Sequence, residues 1–194
     1  MTACGAKAIA QLGATIGREF TYKMLEAIPG SHKKNLRANL NRLVQARILF
    51  QRGFSPNESY TFKHALIQDS AYLSLLKSHR RNYHKQIAET IEEKFSELAQ
   101  LQPEVLAQHY TEASQSRKAV QYWLTAGVRA LQRSANAEAI SHLRRGLALA
   151  EQFPEGISAQ GLSIGILSSI SIIGRILTPR IAMCFRSAEA RPHV

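Results

Sequence analysis

The sequence of 194 residues has little of the chemistry that builds disulfide frameworks or metal centres. Its two cysteines, Cys4 and Cys184, lie near opposite ends of the chain, and no CxxC pair occurs. Four histidines are isolated from one another at ligand spacing, apart from His79 and His84, which are five residues apart: His79, His84, His109 and His142. We therefore expect no disulfide framework and no bound metal. The N-terminus lacks the basic cap, apolar run and cleavage site of a signal peptide, so a cytoplasmic protein is expected.

The sequence also lacks the motifs of an enzyme that hydrolyses nucleotides. It contains no GxxxxGKS or GxxxxGKT phosphate loop, and no acidic residue follows an apolar strand to hold magnesium. We therefore expect no catalytic activity and no cofactor in this chain.

Acidic residues are scarce in the first half of the chain. The formal net charge is +11, and residues 18–85 contain 13 Lys and Arg against 4 Asp and Glu. Residues 86–156 contain 7 basic residues against 9 acidic ones. The positive charge is thus concentrated in the first half, where it favours the attraction of phosphate groups.

No apolar run has the composition of a membrane span. Residues 156–174 are uncharged, but five Ser and four Gly dilute them, whereas a bilayer core requires roughly 20 mainly apolar residues. We therefore expect no membrane partner. Residues 155–194 are interpreted as a divergent tail, either an ordinary helix or poorly structured.

The first 63 residues have the element order of a winged-helix domain. A short helix over about residues 6–12 is followed by a second that begins after Thr21, whose hydroxyl suits an N-cap. A third helix is predicted to begin at Ser31, and its apolar residues recur at helical spacing. These are Leu36, Leu40, Leu43 and Val44. Residues 48–52 and 59–63 then predict a β-hairpin around a loop with Gly and Pro.

The pattern changes at His64 from a period of two to helical spacing. Tyr60, Phe62 and His64 alternate on one side of an extended segment, and apolar doublets follow at intervals of three and four residues. This predicts a strand that runs directly into a helix whose apolar face includes Leu66 and Leu73. Residues 64–101 are expected to form connecting helices.

Residues 102–154 are predicted to form helical hairpins. Pro103 suits the first turn of a helix, and two further helical segments follow it. In the last pair, bulky and small residues fall at the offsets of a tetratricopeptide-type hairpin, in which two helices pack closely. These are Trp123, Gly127, Ala139, Leu143 and Gly146. The expected fold is mainly α, a winged-helix domain with one β-hairpin followed by tetratricopeptide-like helical hairpins.

Several motifs resemble, in their order and spacing, the region that follows the ATPase domain in large bacterial signalling proteins. They are GREFTYKMLEAI, LVQARILFQRG, YTFKHALIQDSAYLSLLKSHR, HKQIAETIEEKF, LAQHYTEA, AVQYWLTAG and SANAEAISHLRRGL. Such proteins often join an adenylate/guanylate cyclase domain to a predicted AAA/STAND-type ATPase and then to tetratricopeptide repeats. The resemblance covers roughly residues 9–154. It implies a winged-helix lid of a nucleotide switch, followed by repeats that bind protein partners.

The resemblance also implies one site residue. In related nucleotide-switch ATPases a histidine at the position of His64 reaches the bound diphosphate, so His64 is the candidate nucleotide-sensing residue. ATP and ADP would be ligands of the intact family proteins only. A simpler alternative is a histidine that satisfies backbone groups at a strand-to-helix junction. The chain is thus expected to be a non-catalytic, regulatory fragment for signal transduction and protein–protein interaction.

Two features depart from the family pattern. Arg47 occupies a position where the family generally has a small residue, usually Gly, and this departure is expected to disturb the turn. Residues after Ile157 do not look like the next repeat. A truncated or frameshifted gene product, without the ATPase and cyclase domains, would explain the second departure.

A basic helix over residues 31–46 keeps a second function open. The third helix of a winged helix can enter the major groove of DNA. Lys33 and Lys34 would then contact phosphates, while Arg37 and Asn41 would face base edges. The chain would be a DNA-binding transcriptional regulator. The simpler interpretation of the same face is a solvated surface, or one that docks on another domain.

Overall fold

A computed structural model describes residues 3–30, 35–54 and 57–152 of the chain. These residues are mainly α-helical and include one small antiparallel sheet, as expected for a mainly α protein. The helices and strands are α1 Ala3–Ile16, β1 Glu19–Thr21, α2 Tyr22–Ala27, α3 Leu36–Gln45, β2 Leu49–Arg52, β3 Ser59–Phe62, α4 Ala65–Leu73, α5 Lys77–Lys94, α6 Ser96–Leu101, α7 Pro103–Glu112, α8 Ser116–Gln132 and α9 Asn136–Ala150.

The N-terminal caps of the second and third helices differ in how well the sequence predicts them. Thr21 caps α2 as predicted, because its Oγ1 accepts a hydrogen bond of 3.2 Å from the Met24 amide. The prediction that the third helix begins at Ser31 is wrong: α3 begins at Leu36. Asn35 has φ 61° there, a left-handed conformation that ends any helix running through it. Ser31 itself lies outside the described residues.

The predicted β-hairpin is present as β2 and β3, and it gains a third strand. The strand order is β1-β3-β2, and both pairings are antiparallel. Phe20 of β1 lies opposite Tyr60 of β3, with 6.0 Å between the two ring centroids. Tyr60 and Phe62 are buried on one side of β3, as the alternation predicted. The sheet thus presents an aromatic face to the helices.

Helices α1, α2 and α3 supply the other side of this core. The largest buried residues of these helices, and Ile28 just after α2, are fully enclosed: Ile9, Leu12, Leu25, Ile28 and Leu40. Gly13 lets α1 approach β1 closely, because a Cβ on Gly13 would lie 2.6 Å from the Phe20 ring. The N-terminal half therefore has a continuous apolar core between its helices and its sheet.

Helix α4 buries only part of the apolar face that the sequence predicted for it. Leu66 and Leu73 are 77% and 65% exposed, whereas Ile67, Ala71 and Tyr72 pack partly buried against the core. The pattern was misleading because α4 has apolar residues on more than one side, and only the side with Ile67 and Ala71 meets the core.

Helices α8 and α9 form a tightly packed hairpin. A Cβ on Gly127 would lie 2.6 Å from Leu143 Cγ, and a Cβ on Gly146 would lie 3.2 Å from Trp123 Cβ. Ala139 is completely buried at the same crossing. The close approach predicted for these small and bulky residues is thus present.

A carboxylate joins three helices of the second half. Glu92 of α5 accepts hydrogen bonds from Lys118 Nζ at 2.7 Å, from Tyr122 Oη at 2.8 Å and from the Tyr110 hydroxyl. Burial alone would raise the pKa of Glu92, but these hydrogen bonds outweigh burial and lower it. The ionised carboxylate therefore fixes α5 against α7 and α8.

None of the helices in the described ranges is both long and apolar enough to cross a membrane. The uncharged stretch at 156–174 and the tail prediction for 155–194 lie outside the described residues.

Arg47 occupies the C-terminal turn of α3 with φ 55°. Its amide bonds to Val44 O at 2.9 Å and the Ile48 amide bonds to Leu43 O at 3.0 Å, which is a Schellman motif with a non-glycine residue in the left-handed position. We expect Arg47→Gly to raise the free energy of unfolding by about 1 kcal/mol, because a side chain is disfavoured in this conformation.

Chemical denaturation of the wild type and two variants measures this effect. Arg47→Ala keeps the strained backbone and removes only the guanidinium, so it should leave stability nearly unchanged. If Arg47→Ala raised the free energy of unfolding as much as Arg47→Gly does, the charge of Arg47, and not backbone strain, would be responsible for the effect.

Candidate functional site

His64 lies where β3 meets α4, as predicted, with its side chain exposed to solvent. It is the N-cap residue of α4, with φ −133° and ψ 140°, and its side chain makes no capping hydrogen bond. Its backbone carbonyl instead accepts from the amides of Ile67 and Gln68. The imidazole is therefore open to solvent and takes no part in capping α4.

Arg37, the main candidate for base reading, is half-exposed and forms an ion pair with a buried carboxylate. Its Nη1 lies 3.0 Å from Oε1 of Glu58, a carboxylate only 4% exposed, and its guanidinium lies 4.9 Å from the Tyr22 ring centroid. Tyr60 Oη donates to the other oxygen of Glu58 at 2.8 Å. The Glu58 charge is the main reason why the pKa of Arg37 is raised. Arg37 thus neutralises a buried carboxylate beside the hairpin.

Of the other proposed nucleic-acid contacts, Asn41 lies one helical turn after Arg37 on α3. Asn41 is exposed on α3, while Lys33 and Lys34 lie outside the described residues.

A cleft of about 520 Å³ lies between α1 and α4 on one side and α5, α7, α8 and α9 on the other. Its aromatic and imidazole lining consists of Tyr72, His84, His109, Trp123 and His142. The other polar side chains that line it are Thr15, Gln68, Asp69, Glu104, Gln108, Glu112 and Arg145.

Two of the histidines that were expected to be isolated contact each other, so that prediction is wrong for His84 and His109. Their Nδ1 atoms are 2.8 Å apart, and Tyr72 Oη lies 3.1 Å from His84 Nε2. The side chains are 6% and 5% exposed. Sequence spacing could not show a pair 25 residues apart. A usable signal was present, since His84 precedes the buried Ile87 and Ile91 by three and seven residues.

Both histidines are neutral near pH 7. Burial, assisted by the charge of Arg80, lowers the pKa of His84 to about 4. Burial, assisted by His84, lowers the pKa of His109 to about 3. A neutral pair at this distance shares one proton between the two Nδ1 atoms, so one ring donates and the other accepts.

Trp123 forms one wall of the cleft, and two polar side chains of α9 contact its ring system. His142 stacks on it with 5.3 Å between ring centroids, and the guanidinium carbon of Arg145 lies 5.1 Å from the ring centroid. The Nδ1 atom of His142 is buried without a hydrogen-bond partner in the described part of the chain. Among those same residues, no group of three or more potential ligands is arranged to hold a metal ion.

Comparisons with known proteins give one distant relative. No family model matches the chain, and no solved structure matches it. The chain is 27% identical over 185 residues to an uncharacterized protein of Rhizobium meliloti (strain 1021). The match covers 95% of this chain, so it extends into the residues after Ile157. The frameshift hypothesis did not predict similarity in those residues. The chain spans 18% of the length of that relative.

Proposed function

We propose that this chain is a non-catalytic, regulatory and protein-interaction segment of a larger signal-transduction protein of the ATPase/adenylate cyclase kind. The observation that carries the proposal is the α8–α9 hairpin, in which Gly127 and Gly146 let two helices pack closely. Helical hairpins of this kind stack into arrays that bind proteins. The much greater length of the Rhizobium relative is consistent with a segment of a larger assembly.

The N-terminal half supports the winged-helix part of the proposal. Three helices precede the β2–β3 hairpin, and β1 completes a small sheet beside them. We assign residues 1–63 to a winged-helix domain, 64–101 to connecting helices and 102–154 to tetratricopeptide-like hairpins.

The second candidate, a DNA-binding transcriptional regulator, is less well supported by the geometry. Arg37 is the strongest base-reading candidate in the sequence, yet its guanidinium is bonded to the buried Glu58. A base contact would leave that carboxylate buried without its cation, which is unfavourable. The basic charge of this half therefore favours at most a weak, sequence-independent attraction to nucleic acid.

A mobility-shift titration at two salt concentrations separates the two functions. We expect either no shift or a sequence-independent shift that fades steeply with salt. Arg37→Ala should change thermal stability more than DNA binding, and Tyr60→Phe serves as a control that loosens Glu58 without altering the basic face. A tight, sequence-selective shift that is lost in Arg37→Ala and kept in Tyr60→Phe would establish the DNA-binding function instead.

The proposal also gives His64 a role in the intact protein. Its exposed imidazole would donate a hydrogen bond to the diphosphate of ADP held by the ATPase domain. We expect His64→Ala, in a longer protein that contains both parts, to weaken ADP retention about ten- to a hundredfold, since a hydrogen bond to a charged group contributes about 1.5–3 kcal/mol. Equilibrium dialysis with ADP measures this, with the exposed His79→Ala as the matched control. Equal retention by both variants would exclude a nucleotide-sensing role for His64.

A further inference from the structure

A groove of about 670 Å³ lies along α8, with Gln100 of α6 on its other side. We call it the α6–α8 groove. The rest of its lining comes from α8: Leu124, Thr125, Val128, Arg129, Gln132 and Arg133. Residues at this spacing form two adjacent rows on one face of a helix. The rows extend over about 14 Å, or about two and a half helical turns. The groove is therefore long enough for a helical segment of another protein to lie along α8.

One of the two rows is apolar. Leu124 and Val128 lie one helical turn apart in the groove, and Val128 is 37% exposed. They are separate from the face of α8 that contains the buried residues Trp123 and Ala126, since α8 already packs against α7 and α9. Leu124 and Val128 thus form a second apolar row, which the described helices cover only in part.

The charged lining of the α6–α8 groove is basic. Arg129 and Arg133 lie four residues apart beside the apolar row, and no carboxylate of the described residues lines the groove. Neither arginine forms a salt bridge within the described part of the chain. In residues 86–156 the 9 acidic residues outnumber the 7 basic ones, so this pair is a local reversal of charge. Charge complementarity therefore selects an acidic occupant, because guanidinium groups form paired hydrogen bonds with carboxylates.

We infer that the α6–α8 groove binds an acidic amphipathic helix of a partner protein. Two carboxylates four residues apart on that helix would pair with Arg129 and Arg133, because this spacing places side chains at about the same separation on both helices. Apolar side chains on the same face would cover Leu124 and Val128. The inference rests on the proposed interaction function and names the chemistry of the partner.

Titration of the full chain with a fluorescently labelled peptide tests the inference. The peptide has about 15 residues, enough to form a helix, with Leu along one face and two Glu four residues apart beside it. Fluorescence anisotropy gives the affinity. We expect saturable binding that is weakened about tenfold or more by Arg129→Gln together with Arg133→Gln. Arg81→Gln together with Arg117→Gln removes the same charge from exposed positions outside the groove and should bind as the wild type does.

A variant at Thr125 keeps the test decisive if the arginine pair is needed for folding. Thr125 is exposed and lines the groove, so Thr125→Glu adds a carboxylate there without disturbing the core. Repulsion between like charges should weaken peptide binding, while thermal unfolding followed by circular dichroism stays as in the wild type. Unchanged affinity in Thr125→Glu, or in a folded double arginine variant, would overturn the site.

Further probes distinguish other occupants of the groove. Equal binding of a peptide with Gln in place of Glu would overturn the acidic partner, and equal binding of one with Ser in place of Leu would overturn the amphipathic one. Tighter binding of a single-stranded oligothymidylate, lost in the double arginine variant, would assign the groove to nucleic acid instead. Self-association of the chain that is lost in the same variant would assign it to a second copy.

Failure of this inference can be told apart from failure of the proposed function. Absence of peptide binding would overturn the acidic helix as the occupant of the groove and would leave the other interaction surfaces of the chain unaffected. A tight, sequence-selective DNA shift would overturn the proposed function, whatever the result with the peptide.

Discussion

Lowering the pH from 7.5 to 5 should remove about 4 kcal/mol from the free energy of unfolding, through the His84–His109 pair. In the unfolded chain both imidazoles titrate near pH 6.5. In the fold, burial lowers the pKa of His84 to about 4 and that of His109 to about 3. Between pH 6.5 and these lowered pKa values, the unfolded state therefore binds more protons than the folded state does. Stability is complete above about pH 6.5 and is lost as the pH falls, by about 2 kcal/mol per histidine at pH 5.

This loss is a large fraction of the 5–15 kcal/mol that typically stabilises a domain. Urea denaturation at a series of pH values measures it. His109→Gln cannot take up the proton, so the slope of stability against pH between 6.5 and 5 should fall by about half. Glu92 does not interfere, because its pKa is lowered from 4.5 and its contribution is lost only at more acidic pH. The exposed His79→Gln is the control, and the same slope in His109→Gln as in the wild type would contradict the assignment.

Replacing Trp123 by Ala should lower the free energy of unfolding by about 3–5 kcal/mol. Trp123 is 2% exposed, its Nε1 donates to Thr111 Oγ1 at 3.1 Å, and its Cβ faces Gly146 across the helix crossing. The substitution leaves a cavity between α7, α8 and α9, which the surrounding helices can fill only in part.

Far-UV circular dichroism during urea unfolding is the suitable measurement, because this variant lacks the only tryptophan of the chain. Val128→Ala, on an exposed part of α8, should change stability by no more than about 1 kcal/mol. The loss in free energy of unfolding for Trp123→Phe should lie between the losses for Trp123→Ala and Val128→Ala. Equal effects of Trp123→Ala and Val128→Ala would mean that the α8–α9 crossing does not contribute to the core as its burial indicates.

The sequence predicted best those elements that depend on neighbours along the chain. Pro103 starts α7, Thr21 caps α2, and the small residues at the α8–α9 crossing pack as their spacing indicated. Strand β1 was missed because three residues are too few to show alternation, and its partner β3 lies far along the chain. The exposed leucines of α4 were misassigned because helical spacing shows that an apolar face exists and does not show what covers it.

Among the candidate site residues too, local patterns predicted positions along the chain and did not predict contacts between distant residues. His64 lies at the junction where the change of period placed it. The bond between Arg37 and Glu58 joins positions 21 residues apart, and the His84–His109 contact joins positions 25 residues apart. Such pairs are set by tertiary packing between different elements, and no local pattern records them.

The strand order of the small sheet sets the order in which the chain can fold. Strand β3 lies between β1 and β2 although it is the last of the three to be synthesised. On a ribosome, Phe20 must wait for Tyr60 before it can pair, and closing a loop of about 40 residues is slow relative to forming a helical hairpin. Until β3 emerges, the nascent chain exposes Phe20 and the apolar sides of α1 and α2. Translational pausing within residues 22–58 should therefore make the nascent protein a target for chaperones.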